Sequence, residues 1–75
     1  MSNDFIFDWN RIIHKNVRDR EMEDVGNIIS ISGNTITISQ GRNLQYNIPK
    51  SYVEGYNGSE VILNANFDDL QKHRI

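Results

Sequence analysis

Apolar and polar residues alternate most regularly between Val25 and Ser39. Counting outward from Gly33-Asn34 as a two-residue turn sets Ser32 against Thr35, Ile31 against Ile36, Ser30 against Thr37 and Ile29 against Ile38. In that register Ile29, Ile31, Ile36 and Ile38 share one face and the hydroxyls share the other. A slip of one residue would mix the two sets, so the pattern specifies the hairpin. It leaves Ile28 on the face opposite the main isoleucine set, in need of cover.

The flanking segments are read in the same way. Trp9, Ile12 and Ile13 fall at helical spacing behind Asp8 as an N-cap, which is preferred over a strand built on Phe5, Phe7 and Trp9. Ile13 to Arg18 reads as a first strand, and the charged run Asp19 to Asp24 as a solvated turn. After a turn at Gln40 to Asn43, Leu44, Tyr46 and Ile48 alternate as a strand that Pro49 ends. Ser51-Tyr52-Val53-Glu54 has capping-box spacing and predicts a helical turn stopped by Gly55. Tyr56-Asn57-Gly58 predicts a tight turn. Val61, Leu63 and Ala65 then form the inward positions of a last strand, with Ile62 opposite. Asn66 caps a short C-terminal helix that buries Phe67 and Leu70 and carries Lys72, His73 and Arg74 in its last turn. Five to six short strands with closely spaced turns predict an all-β fold, a small antiparallel barrel with short helical segments at both ends. Residues 1–8 are expected to be a flexible tail and residues 9–75 a single domain.

Size and composition narrow the function. A 75-residue chain supports one small core. It contains no cysteine, so disulfides and thiolate metal sites are excluded. There is no apolar run of about 20 residues and no basic-then-apolar leader, which predicts a soluble, cytoplasmic protein without a transmembrane segment. A net charge of −2 with scattered cations argues against general nucleic-acid binding.

Candidate chemistry is sparse. His14 and His73 are the only histidines and lie near opposite ends of the chain, too few for a metal centre without other converging ligands. The acidic run Asp19 to Asp24 lacks the spaced ligands and central glycine of a calcium loop. No nucleophile elbow, phosphate loop or dinucleotide fingerprint is present. Asp68 and Asp69 are adjacent on a helix and do not face each other. The expectation is a protein with no enzymatic activity, no cofactor, no metal and no small-molecule substrate.

The segment Val17-Arg18-Asp19-Arg20-Glu21-Met22-Glu23-Asp24-Val25-Gly26-Asn27-Ile28-Ile29 resembles the opening hairpin of PRC-barrel domains. Tyr46 to Val61, with Ile48-Pro49-Lys50-Ser51, is similar to the second half of their small stand-alone forms, and Trp9 to Ile13 to their lead-in. The resemblance spans roughly residues 9–66. The chain departs from it at His14 and Met22, where the family often has glycine; Met22 tolerates positive φ poorly, so the turn is expected to take another shape and expose Met22 at its tip. The resemblance implies a small barrel and a role in protein–protein contact, as in the photosynthetic reaction-centre H subunit, a ribosome maturation factor and archaeal cell-division adaptors.

Surplus apolar positions give the candidate contact residues. Phe5 and Phe7 sit in a polar N-terminal stretch, Met22 at a turn, and Ile28 and Ile62 on faces opposite the main isoleucine set. Tyr52 and Tyr56 present apolar rings with polar tips. Together these seven residues are expected to bind a protein partner or a second copy in a homodimer. The alternative is an RNA- or ribosome-associated protein in which Lys15, Arg18, Arg42 and Lys50 gather.

Overall fold

The computed structural model describes residues 8–75. Asp8 caps the first element as its side chain accepts from the Asn10 N–H at 3.0 Å, and Trp9–Ile12 form a 3-10 turn that buries Ile12. The chain then reverses at His14 and enters β1 (Asn16–Arg18), shorter than the strand expected from Ile13. β2 (Asp24–Ser32), β3 (Thr35–Gln40), β4 (Leu44–Pro49), β5 (Val53–Tyr56) and β6 (Glu60–Leu63) follow, and α1 (Phe67–Gln71) comes last. They form one six-stranded sheet in the order β4-β3-β2-β1-β6-β5.

Two features correct the expected barrel. The pairing of β1 with β6 is parallel, so the sheet is mixed rather than antiparallel. The sheet is also not closed into a barrel, because β4 and β5 stand at its two ends. The outer edge of β4 is covered by the chain itself. Asn47 N–H donates to His73 O at 3.0 Å, Ile75 N–H donates to Gln45 O at 2.9 Å, and Tyr46 and Arg74 form an isolated antiparallel bridge. This strip pulls His73 and Arg74 out of the helix in which they were expected; α1 stops at Gln71 with Lys72 as its C-cap.

The hairpin forms around Gly33-Asn34 with Ser32, Ile31 and Ser30 opposite Thr35, Ile36 and Thr37, as counted from the sequence. A bulge between Ile28 and Ser30 then shifts the register, and Ile28 rather than Ile29 meets Ile38. The extra residue reverses the two side chains' fates. Ile28 is fully buried, while Ile29 is 40% exposed. The physical reason is the neighbouring turn: His14 N–H donates to Ile28 O and Ile28 N–H donates to Lys15 O, which fastens Ile28 beneath the N-terminal segment.

The core is a single cluster of Ile12, Val17, Val25, Ile28, Ile36, Ile38, Tyr46, Ile48, Val61, Leu63 and Leu70. Tyr46 is buried as expected, and its hydroxyl donates to Gln40 Oε1 at 2.9 Å while accepting from Gln71 Nε2 at 3.2 Å. The expected capping box at Ser51 does not form. Lys50–Tyr52 is a single 3-10 turn with no side-chain cap, and Val53 to Tyr56 extends into β5 because that strand completes the ladder of β6. The box at Asn66 does form. Asn66 Oδ1 accepts from Asp69 N–H at 2.9 Å, and Asp69 Oδ2 accepts from Asn66 N–H at 3.2 Å. Leu70 is buried there, but Phe67, its expected partner, is 43% exposed at the first position of the helix.

The charged turn is not fully solvated. Asp19 is buried, and its Oδ1 accepts from the N–H groups of Glu21 and Glu23, each at 2.9 Å. Those bonds hold the chain tightly enough to force Met22 to φ 68, so this turn keeps the left-handed residue that glycine would supply. His14 is held likewise at φ 72.

Gly26 has the strictest backbone requirement. Its φ is +113, and an added Cβ would lie 2.2 Å from Ser39 O on β3. Gly26→Ala is expected to cost about 3 kcal/mol or more from combined strain and overlap. Gly33→Ala and Gly58→Ala, where a Cβ meets open space, are expected to cost about 1–2 kcal/mol each. Urea unfolding of the three variants tests the order, and equal shifts would refute the close approach. At the two strained non-glycine sites the sign reverses. His14→Gly and Met22→Gly are each expected to stabilise by about 0.5–1 kcal/mol, the left-handed penalty less the entropy cost of glycine; lower urea midpoints would contradict this.

Candidate functional site

Two surface depressions lie at different places on the sheet. One follows β5, and its formation begins with the turn before β6. Asn57 Oδ1 accepts from the N–H groups of Ser59 and Glu60, and Tyr56 Oη donates to Gly58 O at 3.0 Å, which fixes the tyrosine ring against the turn. Pairing of Gly55 with Ile62 and Tyr56 with Val61 leaves Glu54 as the extra residue of a bulge. The result is an open groove of about 240 Å³ lined by Glu54, Gly55, Tyr56, Asn57 and Ile62. It runs beside the outer edge of β5, a strand to which only β6 is paired among the described residues.

The other depression is a polar notch of about 320 Å³ where β1, β2 and the β3–β4 turn meet. Asn16, Asn27 and Ser39 stand in register across β1, β2 and β3. Asn16 Nδ2 donates to Asp24 Oδ1 at 2.9 Å, to Gly26 O at 3.1 Å and to Asn27 Oδ1 at 3.3 Å. Gly26 N–H donates to Asp24 Oδ1 at 2.9 Å. Gln40 and Gly41 complete the wall. In the sequence Asp24 belongs to the charged turn, and Asn16, Asn27 and Ser39 belong to no spaced motif. Finding them requires the β1–β2 and β2–β3 registers, both of which contain bulges.

Of the seven sequence-predicted contact residues, the five that are described do not form one patch. Tyr56 and Ile62 come together in the β5 groove. Tyr52 packs against the core, and its ring meets His73 edge-on at 5.2 Å with Oη 2.9 Å from Nε2. Met22 stands at the tip of the first turn, 53% exposed. Ile28 lies in the core and offers no surface, for the reason given by the bulge. Phe5 and Phe7 lie outside the described residues.

Two of the four basic residues considered for RNA, Arg18 and Lys50, are engaged at separate places. Arg18 Nε donates to Glu60 Oε2 at 2.7 Å, and its Nη1 donates to Met22 O at 2.9 Å. The Glu60 hydrogen bond, followed by the Glu60 charge, raises the Arg18 pKa above its ordinary value. Lys50 instead lies over the Trp9 ring, 4.7 Å from its centroid. Among the described residues there is no cluster of three or more potential metal ligands, and no helix is long and apolar enough to cross a membrane.

The notch has an acid-sensitive component. The Gly26 N–H and then the Asn16 amide hold the Asp24 carboxyl below its ordinary 3.8, against a smaller opposing effect of burial. A carboxylate depressed in the folded state contributes stability that is present above its unfolded pKa and lost as pH falls through the folded one. Asp24→Asn is expected to flatten the stability curve below about pH 4 without changing its shape at neutral pH. Urea midpoints across the acid range check this, and parallel curves for the two proteins would contradict it.

In comparisons with family models, curated proteins and solved structures, no match to this chain was found.

Proposed function

We propose that this protein is a non-enzymatic interaction module that receives an extended segment of a different protein along the edge of β5. The observation carrying this reading is the asymmetry of the two sheet edges. The chain's own residues 73–75 cover β4, whereas among the described residues no strand pairs with the outer edge of β5 beside the Tyr56–Ile62 groove. An unpaired edge supplies main-chain hydrogen bonds to an added strand, and neighbouring pockets supply side-chain selectivity. Glu54 and its bulge limit this edge. A charge and an irregularity oppose indiscriminate pairing between identical edges, so the partner is read as a heterologous segment with a lysine or arginine facing Glu54.

The resemblance to PRC-barrel domains supports the same class of function. Left-handed backbone at His14 and Met22 is the conformation that glycine provides at those positions in the family. An archaeal cell-division adaptor is the narrower form and rests on the resemblance alone.

Affinity purification from the native cell followed by mass spectrometry would identify the partner. Titration of that purified partner against Ile62→Asp and Glu54→Lys is expected to show at least about tenfold weaker binding than the parent protein. Met22→Asp, at a separate turn, is expected to bind like the parent. Equal affinity for all four proteins would sink the β5 assignment.

A further inference from the structure

The turn between β5 and β6 places an amide, a backbone nitrogen and two hydrogen-bond donors together. Asn57 is the only asparagine in the chain followed by glycine. The nitrogen of the following residue is the internal nucleophile within reach of an asparagine side chain, and bulk on that residue crowds its approach. Asn16, Asn27, Asn34 and Asn47 precede the β-branched Val17, Ile28, Thr35 and Ile48. Gly58 presents no such obstruction, and Asn57, Gly58 and Ser59 are all exposed.

The hydrogen bonds of the turn hold the reacting atoms in a small loop. Asn57 Oδ1 accepts from Ser59 N–H at 2.9 Å and from Glu60 N–H at 2.8 Å. The first of these bonds closes a ring that contains both Asn57 Cγ and the Gly58 nitrogen. Asn57 N–H donates to Glu60 O at 3.2 Å, and Tyr56 Oη donates to Gly58 O at 3.0 Å, so the loop is fastened from both sides. Among the described residues no hydrogen bond engages the Gly58 N–H or Asn57 Nδ2. The attacking nitrogen and the leaving amide are therefore both open to water.

The electrostatics of the turn favour attack. When a nitrogen adds to Asn57 Cγ, negative charge gathers on Oδ1. Two backbone donors already stand within 2.9 Å of that oxygen, the spacing of an oxyanion hole. Hydrogen bonds to an ionised oxygen are roughly twice as strong as those to a neutral one, so this pair stabilises the intermediate more than the amide. We propose that Asn57–Gly58 is a self-modification site, at which the turn converts its own asparagine into aspartate and isoaspartate.

The reaction balances with water alone. Hydroxide takes the Gly58 N–H proton, and the nitrogen forms a bond to Asn57 Cγ. The Cγ–Nδ2 bond breaks, and Nδ2 takes a proton from water and leaves as ammonia. A succinimide ring remains. Water opens it at Cγ to give aspartate with the normal main chain, or at the Asn57 main-chain carbonyl to give isoaspartate, with the chain routed through Cγ. Nothing is oxidised or reduced. Both products put a carboxylate where Asn57 lines the β5 groove beside Glu54.

The test follows the full chain at mildly alkaline pH, once folded and once unfolded in urea, by peptide mass mapping. Isoaspartate is scored by methyl transfer from an isoaspartyl methyltransferase. The mass gain of an amide-to-acid change is expected at Asn57 ahead of every other asparagine in residues 8–75. One oxyanion donor is worth about 10²–10³ in rate where water is excluded; on this exposed turn the folded chain is expected to react at least about threefold faster than the unfolded one. A folded rate equal to or below the unfolded rate overturns the proposal, since the turn would then add nothing or protect. So does earlier conversion of another asparagine in the folded chain. Gly58→Ala is expected to slow conversion at least about tenfold by misplacing the nitrogen, and an unchanged rate contradicts the assigned nucleophile. Gly58 has φ +96, so if this variant does not fold, the folded–unfolded comparison of the parent chain decides the matter. No binding partner enters the measurement, and its outcome is independent of the β5 docking reading.

Discussion

Three residues hold this fold together. β1, from Asn16 to Arg18, is paired antiparallel to β2 on one side and parallel to β6 on the other. Without it the β2–β3–β4 meander and the β5–β6 hairpin are separate pieces, each too small to bury its own apolar face. Val17 supplies the core contact at this seam, and the Arg18–Glu60 ion pair crosses it on the other face. The ion pair is partly solvated and contributes little by itself. The main attachment is the ladder and the apolar surface it brings together.

The candidate surfaces follow from this arrangement. Placing β1 in the middle pushes β5 to an end of the sheet, where among the described residues only β6 pairs with it. The same placement brings Asn16 beside Asn27 and Asp24, which builds the polar notch. One short strand therefore positions both depressions, although they lie on different sides of it in the strand order. The short 3-10 turn ahead of β5 contributes by ending β4 at Pro49 and redirecting the chain, with Asn64 tying the return through bonds to Ser51 O and Tyr52 O.

Much of the local structure was legible because it is written in nearest-neighbour chemistry. Asp8 and Asn66 cap the elements they were expected to cap, Gly33-Asn34 turns the hairpin, and Tyr46 is buried by simple alternation. What was not legible depends on contacts between segments far apart in the chain. Nothing near Ile28 in sequence announces that the carbonyl and N–H of this residue will be claimed by His14 and Lys15, and hence that Ile29 will be displaced outward. Ser51 to Glu54 has helical capping spacing, yet the turn stops at Tyr52 because Val53 already enters the ladder with β6. Left-handed Met22 was read as improbable because the side chain disfavours it; the buried Asp19 carboxylate, bonded to two backbone N–H groups, overrides that preference. The β5 groove was half visible through Tyr56 and Ile62. The notch was invisible, since its amides are ordinary surface residues until bulged registers set them side by side.

The parallel β1–β6 pairing also sets an order of events in folding. Arg18 and Glu60 are 42 positions apart, whereas the hairpins on either side close through turns of a few residues. Loop closure over the longer distance carries a larger entropic cost before any contact rewards it. The meander can assemble early, but its β1 margin stays half-paired until the final strand docks. That docking step controls when the interior becomes shielded, so the lifetime of the exposed Val17 seam, rather than the speed of hairpin formation, governs how vulnerable the nascent chain is to misassociation.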